Sequence, residues 1–249
     1  EQLALYRKLP FGTWGVYGEP RRKGYSYNWA RTGATAASMV ESGQHIGVAS
    51  QIKAGGVNVV IIAIGANDYA PYLTLDGYDQ LYAGNISDAR ILQKKNRLIA
   101  DVTTAIDTVR DAGEVRMLLI TIPDWGHHLG VRVAFPLPEQ REHVSQIIRD
   151  ANADLREVAR ERDIEVLDMN SFYESTFAAS PTEITLGGKS FSALLPSDDP
   201  RSLFLEDGTH AGTILNGLFA NDVIMHLNTL LGTSIRPFTT EEILSHAGL

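Results

Sequence analysis

The sequence predicts an α/β protein in three layers, a parallel β-sheet between two layers of helix. Two observations carry the prediction. Short apolar runs rich in β-branched residues, VNVVIIAI at 57–64 and VRMLLITI at 115–122, read as strands buried on both faces, the habit of parallel sheets. Around them lie long segments whose apolar residues recur every three to four positions or a multiple of that, as in helices packed by one face. Strands that alternate with helices in this way form right-handed βαβ units.

The elements follow in order. Residues 1–9 read as the end of a helix, with Leu3, Leu5 and Tyr6 apolar and Pro10 as the stop. Residues 11–27 read as loop, punctuated by Gly12, Gly15, Gly18, Pro20 and Gly24. Residues 28–30 are expected as a short strand or strand end. A helix is expected over 35–53, capped by Thr35 and closed by Gly55-Gly56. The strand at 57–64 comes next, then a long helix over 87–112 that sets Ile91, Leu98, Val102, Ile106 and Val109 on one face. The strand at 115–122 is ended by Pro123. Residues 139–162 are helical by period through Val144, Ile147, Ile148, Ala151, Leu155 and Val158, and 164–167 form a third strand. Residues 171–206 are polar and irregular except for a hairpin at 184–191 around Gly187-Gly188. A last long helix is expected over 211–231. The reading is a single domain over 1–231, with 232–249 as a C-terminal tail or linker.

Composition narrows the function. With 22 basic against 30 acidic residues the net charge is -8, and no basic stripe points to nucleic acid or anionic membrane. The one basic cluster, Arg21-Arg22-Lys23, reads as a solvated loop. Without cysteine there is no disulfide, thiolate nucleophile or cysteine-bound metal. No apolar run reaches the length of a membrane span and no signal peptide is visible. Glu1 is not an initiator residue, so a start upstream is expected and export stays open.

Three short words carry chemistry: Asn28-Trp29-Ala30-Arg31-Thr32-Gly33-Ala34-Thr35, Gly65-Ala66-Asn67-Asp68 and Asp207-Gly208-Thr209-His210. In open parallel sheets, ligands bind beyond the carboxyl ends of the strands, and each word falls at such an end or in a loop before a helix. Acyl transfer needs donors aimed at the oxygen that turns negative. The Gly33 amide, unobstructed by a Cβ, and the Asn67 carboxamide are such donors. The reaction also needs a base for the attacking hydroxyl and a carboxylate to orient that base. His210 and Asp207, three residues apart, are suited to both tasks. Asp68 is read as a structural hydrogen-bonding group beside Asn67. His127-His128 are read as loop, because adjacent side chains on extended chain face opposite ways and no third metal ligand is evident; the segment is also placed to border the substrate pocket. Trp29 is read as core, and His45, His143, His226 and His246 as surface.

The three words together resemble the SGNH hydrolase superfamily, the GDSL esterases and lipases, over roughly residues 25–231. The resemblance implies a flavodoxin-like α/β/α fold. It makes Gly33 and Asn67 the oxyanion donors, Asp207 the orienting acid and His210 the base, with no metal or organic cofactor. The substrate class it implies is a small-molecule ester: a lipid, an acetylated sugar or a thioester. The segment 171–206, which leads into Asp207, is the expected specificity element. Two departures stand out. Ala211 follows His210 where the family often has proline, a minor change. The Gly-Asp-Ser word that supplies the family's nucleophile is absent. Ser26, Ser38 and Ser42 are the earliest serines, none in such a word, and Ser26 lies too close to the second block. The expectation is therefore a chain that begins after the first strand and its serine, leaving a gap or groove in the sheet and no ester turnover. The alternative is a non-catalytic module of the same fold that binds acylated or glycosidic ligands.

Overall fold

In the computed structural model, which describes residues 2–249, the chain runs α1 (Gln2–Tyr6), β1 (Trp14–Val16), β2 (Lys23–Tyr25), α2 (Ala36–Glu41), α3 (Gln44–Lys53), β3 (Val59–Ala63), α4 (Tyr78–Tyr82), α5 (Asp88–Arg110), β4 (Arg116–Ile120), α6 (Leu129–Ala134), α7 (Pro138–Glu161), β5 (Glu165–Leu167), α8 (Met169–Thr176), β6 (Glu183–Leu186), β7 (Lys189–Ser192), α9 (Thr213–Leu231) and α10 (Thr240–His246). Short 3₁₀ turns at Ala66–Asp68 and Trp125–His127 follow β3 and β4.

The central sheet is parallel, in the order β3-β4-β5. Alternation along each strand sorts its side chains into two cores. Val60 and Ile62 of β3 and Met117 and Leu119 of β4 face one way, onto Leu98, Val102, Ile106 and Val109 of α5 and Val144, Ile148, Ala151 and Leu155 of α7. Val59, Ile61, Leu118 and Ile120 face the other way, onto Val223 and Leu227 of α9, with Leu3 and Leu9 beside them. The result is the three-layer α/β/α arrangement. A further core joins α8, the β6–β7 hairpin, α9 and α10 through Phe172, Phe191, Ile224 and Ile243.

Local signals account for the long helices. Ser87 caps α5 by accepting the Arg90 amide, and Thr35 caps α2 in a reciprocal box with Ser38. The β6–β7 hairpin turns at Gly187-Gly188. No described helix is long and apolar enough to cross a membrane.

The structure corrects several expectations. The helix expected over 35–53 is two helices, α2 and α3, with the corner at Ser42 and Gly43. Residues 11–27 contain the antiparallel pair β1–β2, with Trp14 opposite Tyr25. Strands of three residues are too short to show a period, and Gly15 and Gly24 sit inside them. Residues 28–30 are not a strand. The Asn28 side chain accepts the Ala30 amide at 2.9 Å, a local bond that competes with strand pairing. The strand at 57–64 is not buried on both faces: β3 alternates between buried and half-buried positions and ends exposed at Ala63. It pairs with β4 alone, so its other edge is unpaired among the described residues. Within the irregular 171–206, α8 extends into residues 171–176 and starts on a cap, the Asp168 carboxylate accepting the Asn170 and Ser171 amides. Residues 232–249 carry α10, with Ile243, Leu244 and Ala247 buried. Arg7 holds this segment through Glu242 and the Arg236 and Pro237 carbonyls. His45, expected at the surface, is buried.

Candidate active site

Two of the three words meet directly. The turn at Ala66–Asp68 leaves β3 and presents Asn67 to the residues before α2. Asn67 Nδ2 donates to the Ala34 carbonyl at 2.9 Å, which spends one of its two N–H bonds and leaves the other. Asp68 Oδ2 accepts the Ala36 amide at 2.9 Å, at the first turn of α2. Burial pushes the Asp68 carboxyl up to about 6, against the Ala36 N–H and the nearby Lys94, which both favour its charged form. Gly33 sits between, exposed, with φ of 76°, a left-handed conformation that suits glycine. Nothing lies within 4 Å of where its Cβ would be, and its amide has no partner among the described residues. Two uncommitted N–H donors, on Gly33 and Asn67, are therefore held together by one residue, Ala34.

The third word is a self-contained turn. Asp207 Oδ1 accepts the Thr209 and His210 amides, each at 2.8 Å, and the Thr209 hydroxyl at 2.9 Å. This is the turn chemistry of an aspartate bonding its own following backbone. Gly208 allows it by adopting φ of 69° while packed against Gly130. The other oxygen, Oδ2, lies 2.5 Å from His210 Nδ1. Burial by itself would raise the Asp207 carboxyl, but the His210 and Thr209 amides and the His210 ring hold it far below the usual carboxylate range. The His210 side chain is 72% exposed, so its remaining nitrogen, Nε2, is open to a reacting molecule.

No hydrogen bond joins the Gly33–Asn67 pair to the Asp207–His210 pair directly. The connection is the segment after β4, which the sequence places at the border of the pocket without showing that it bridges the two pairs. The Trp125 indole N–H donates to the Ala66 carbonyl at 2.9 Å, beside Asn67. His128 Nδ1 lies 3.1 Å from the Thr209 carbonyl, beside His210. The Gly130 amide donates to the Gly208 carbonyl at 3.3 Å. Asp124 anchors the segment by accepting the Gly126 amide and the Ser145 hydroxyl. The segment read as extended loop is the 3₁₀ turn Trp125–His127 running into α6, with His127 46% exposed and His128 buried. Position was the available signal, since Asp124 to His128 directly follow a strand's carboxyl end.

Ser26 is not at the site. Its Oγ accepts the Thr13 amide at 3.2 Å within the β1–β2 region, and the His210 ring has no serine partner among the described residues. Among the described residues no group of three His, Asp or Glu side chains could hold a metal ion.

A base paired with a carboxylate, together with two free N–H donors on adjoining turns, can take a proton from a hydroxyl and stabilise an oxyanion. No curated protein matches the chain. Residues 10–228, which contain all three words, match the family model of the GDSL-like lipases and acylhydrolases, and the chain belongs to that family, a family of hydrolases.

Proposed function

We propose that this site serves the hydrolysis of carboxylic esters through an acyl-enzyme. His210 takes the proton of a serine hydroxyl as that oxygen attacks the ester carbonyl. Asp207 holds the ring with Nδ1–H inward and stabilises the imidazolium that forms. Gly33 and Asn67 donate to the oxyanion. His210 then returns the proton to the leaving alcohol, and water releases the acyl group by the same steps. The observation that carries the reading is the Asp207–His210 pair, with every bond of the carboxylate committed to orienting its own turn and the ring.

No serine pairs with His210 among the described residues, and we take the attacking serine to lie outside these 249 residues. On this reading it arrives on a strand added to the unpaired edge of β3, and the chain by itself does not turn over esters. The test is ester turnover by the intact gene product and by its His210→Ala variant. The expected loss in kcat is roughly 10⁴-fold or more, on the scale of other triads. Near-normal turnover by the variant would refute the assignment.

A second reading rests on the same observation about serine: a module of this fold that binds an acylated or glycosidic ligand without cleaving it. The codons upstream of Glu1 separate the two. A Gly-Asp-Ser word there supports the hydrolase, and a start codon immediately before Glu1 supports the binder. The ester class is a matter for a panel of acyl chain lengths, acetylated sugars and thioesters. The α8 and β6–β7 region, which leads into Asp207, is where we place its specificity.

A further inference from the structure

His128 has features that packing alone does not explain. Its ring is buried among aromatic neighbours, with centroids 5.1 Å from Trp125, 5.0 Å from Tyr173 and 5.8 Å from Phe204. Phenylalanine would suit such surroundings. Yet Nδ1 faces the Thr209 carbonyl at 3.1 Å, and a carbonyl only accepts, so Nδ1 carries the proton. That leaves Nε2 as a bare acceptor, buried with no hydrogen-bond partner among the described residues. An unpaired buried nitrogen opposes folding, so the ring is retained at a cost to stability, and what it secures in return is the bond to Thr209. Burial pushes the His128 pKa down to about 4, so near neutrality the ring donates without placing a positive charge behind His210.

The neighbouring contact acts on the same turn. A Cβ on Gly130 would come within 3.1 Å of the Asp207 and Gly208 carbonyl oxygens, so α6 lies directly beneath the turn. Two successive carbonyls, those of Gly208 and Thr209, are thus held from below by Gly130 and His128. Among the described residues, the Asp207 carboxylate and the His210 ring, by contrast, make their hydrogen bonds only within the turn.

We propose that His128 is a positioning residue for His210: its Nδ1–H fixes the Thr209 carbonyl, and the peptide that follows sets the Asp207–His210 pair. The inference rests on reading His210 as the base.

Three measurements on the chain as it stands test it. In the unmodified chain, ¹⁵N spectra of the His128 ring should show Nδ1 protonated and Nε2 bare; the opposite tautomer overturns the proposal whatever the variants do. In His128→Phe, which keeps an aromatic ring and loses the donor, the Thr209 and His210 amides bonded to Asp207 should exchange with water roughly tenfold faster, the effect of one lost hydrogen bond of ordinary strength. Amides of β4 should keep their exchange rates, which distinguishes a loosened turn from a weakened fold. His128→Gln, whose carboxamide can donate to Thr209, should restore most of the protection. Unchanged exchange in His128→Phe, equal acceleration in β4, or a glutamine variant no better than phenylalanine would overturn the role. These readings do not involve ester turnover, so their failure is distinct from failure of the hydrolase reading, which the His210→Ala comparison decides.

Discussion

Replacing Asp68 by asparagine should stabilise the protein above pH 6 and leave it almost unchanged below about pH 3. The carboxyl is mostly buried beside Asn67, and desolvation pushes its pKa from 3.8 to about 6 although it accepts the Ala36 amide. Because the folded pKa lies above the unfolded one, the native state binds more protons between those values, and stability falls as pH rises through the window. A displacement of this size corresponds to about 3 kcal/mol when both states are fully ionised, of which about 2 kcal/mol accrues between pH 4.5 and 7.5. Asparagine keeps an oxygen for the Ala36 amide and removes the titration. Urea unfolding of both proteins at several pH values isolates this group, since the other carboxyls cancel in the difference. The advantage of Asp68→Asn should grow by about 2 kcal/mol between pH 4.5 and 7.5. A difference that stays flat would refute the desolvation argument. A difference that shrinks would mean that the Ala36 N–H and Lys94 outweigh burial and the carboxyl titrates below its ordinary range.

Two further substitutions probe the supports of the site. Asn152 is fully buried and clamps Ile122 from both sides, accepting its amide at 2.9 Å and donating to its carbonyl at 2.8 Å. Asn152→Ala strands both main-chain groups and should cost about 2–5 kcal/mol, read by urea denaturation; a loss under about 1 kcal/mol would mean that the chain relaxes to satisfy them. On the proposed role, Asn67→Ala in the intact hydrolase should lower kcat roughly 10²- to 10³-fold with little change in KM, because the lost donor acts on the oxyanion. A rise in KM at constant kcat, measured by steady-state kinetics, would instead make Asn67 a ground-state binding group.

Features that contiguous residues encode were legible in the amino-acid sequence. The apolar runs at 57–64 and 115–122 specify strands, and their alternation with long amphipathic segments specifies a parallel sheet with helices on both faces. Ser87 and Thr35 mark helix starts through bonds that reach three residues. The Asp207–His210 pair was legible for the same reason, since its carboxylate organises a four-residue turn. How distant segments share space emerges only when the elements pack. That Gly33 and Asn67 adjoin depends on a bond from Asn67 to Ala34, 33 residues away. That α10 docks depends on Arg7, 235 residues from Glu242. His128 shows the limit most clearly, because in sequence it is one of two adjacent histidines in a loop. Its role beneath the His210 turn comes from a carbonyl 81 residues away and from the aromatic rings that exclude water around it. Periodicity and capping are read within one element, whereas burial and the choice of a buried donor's partner arise when elements pack.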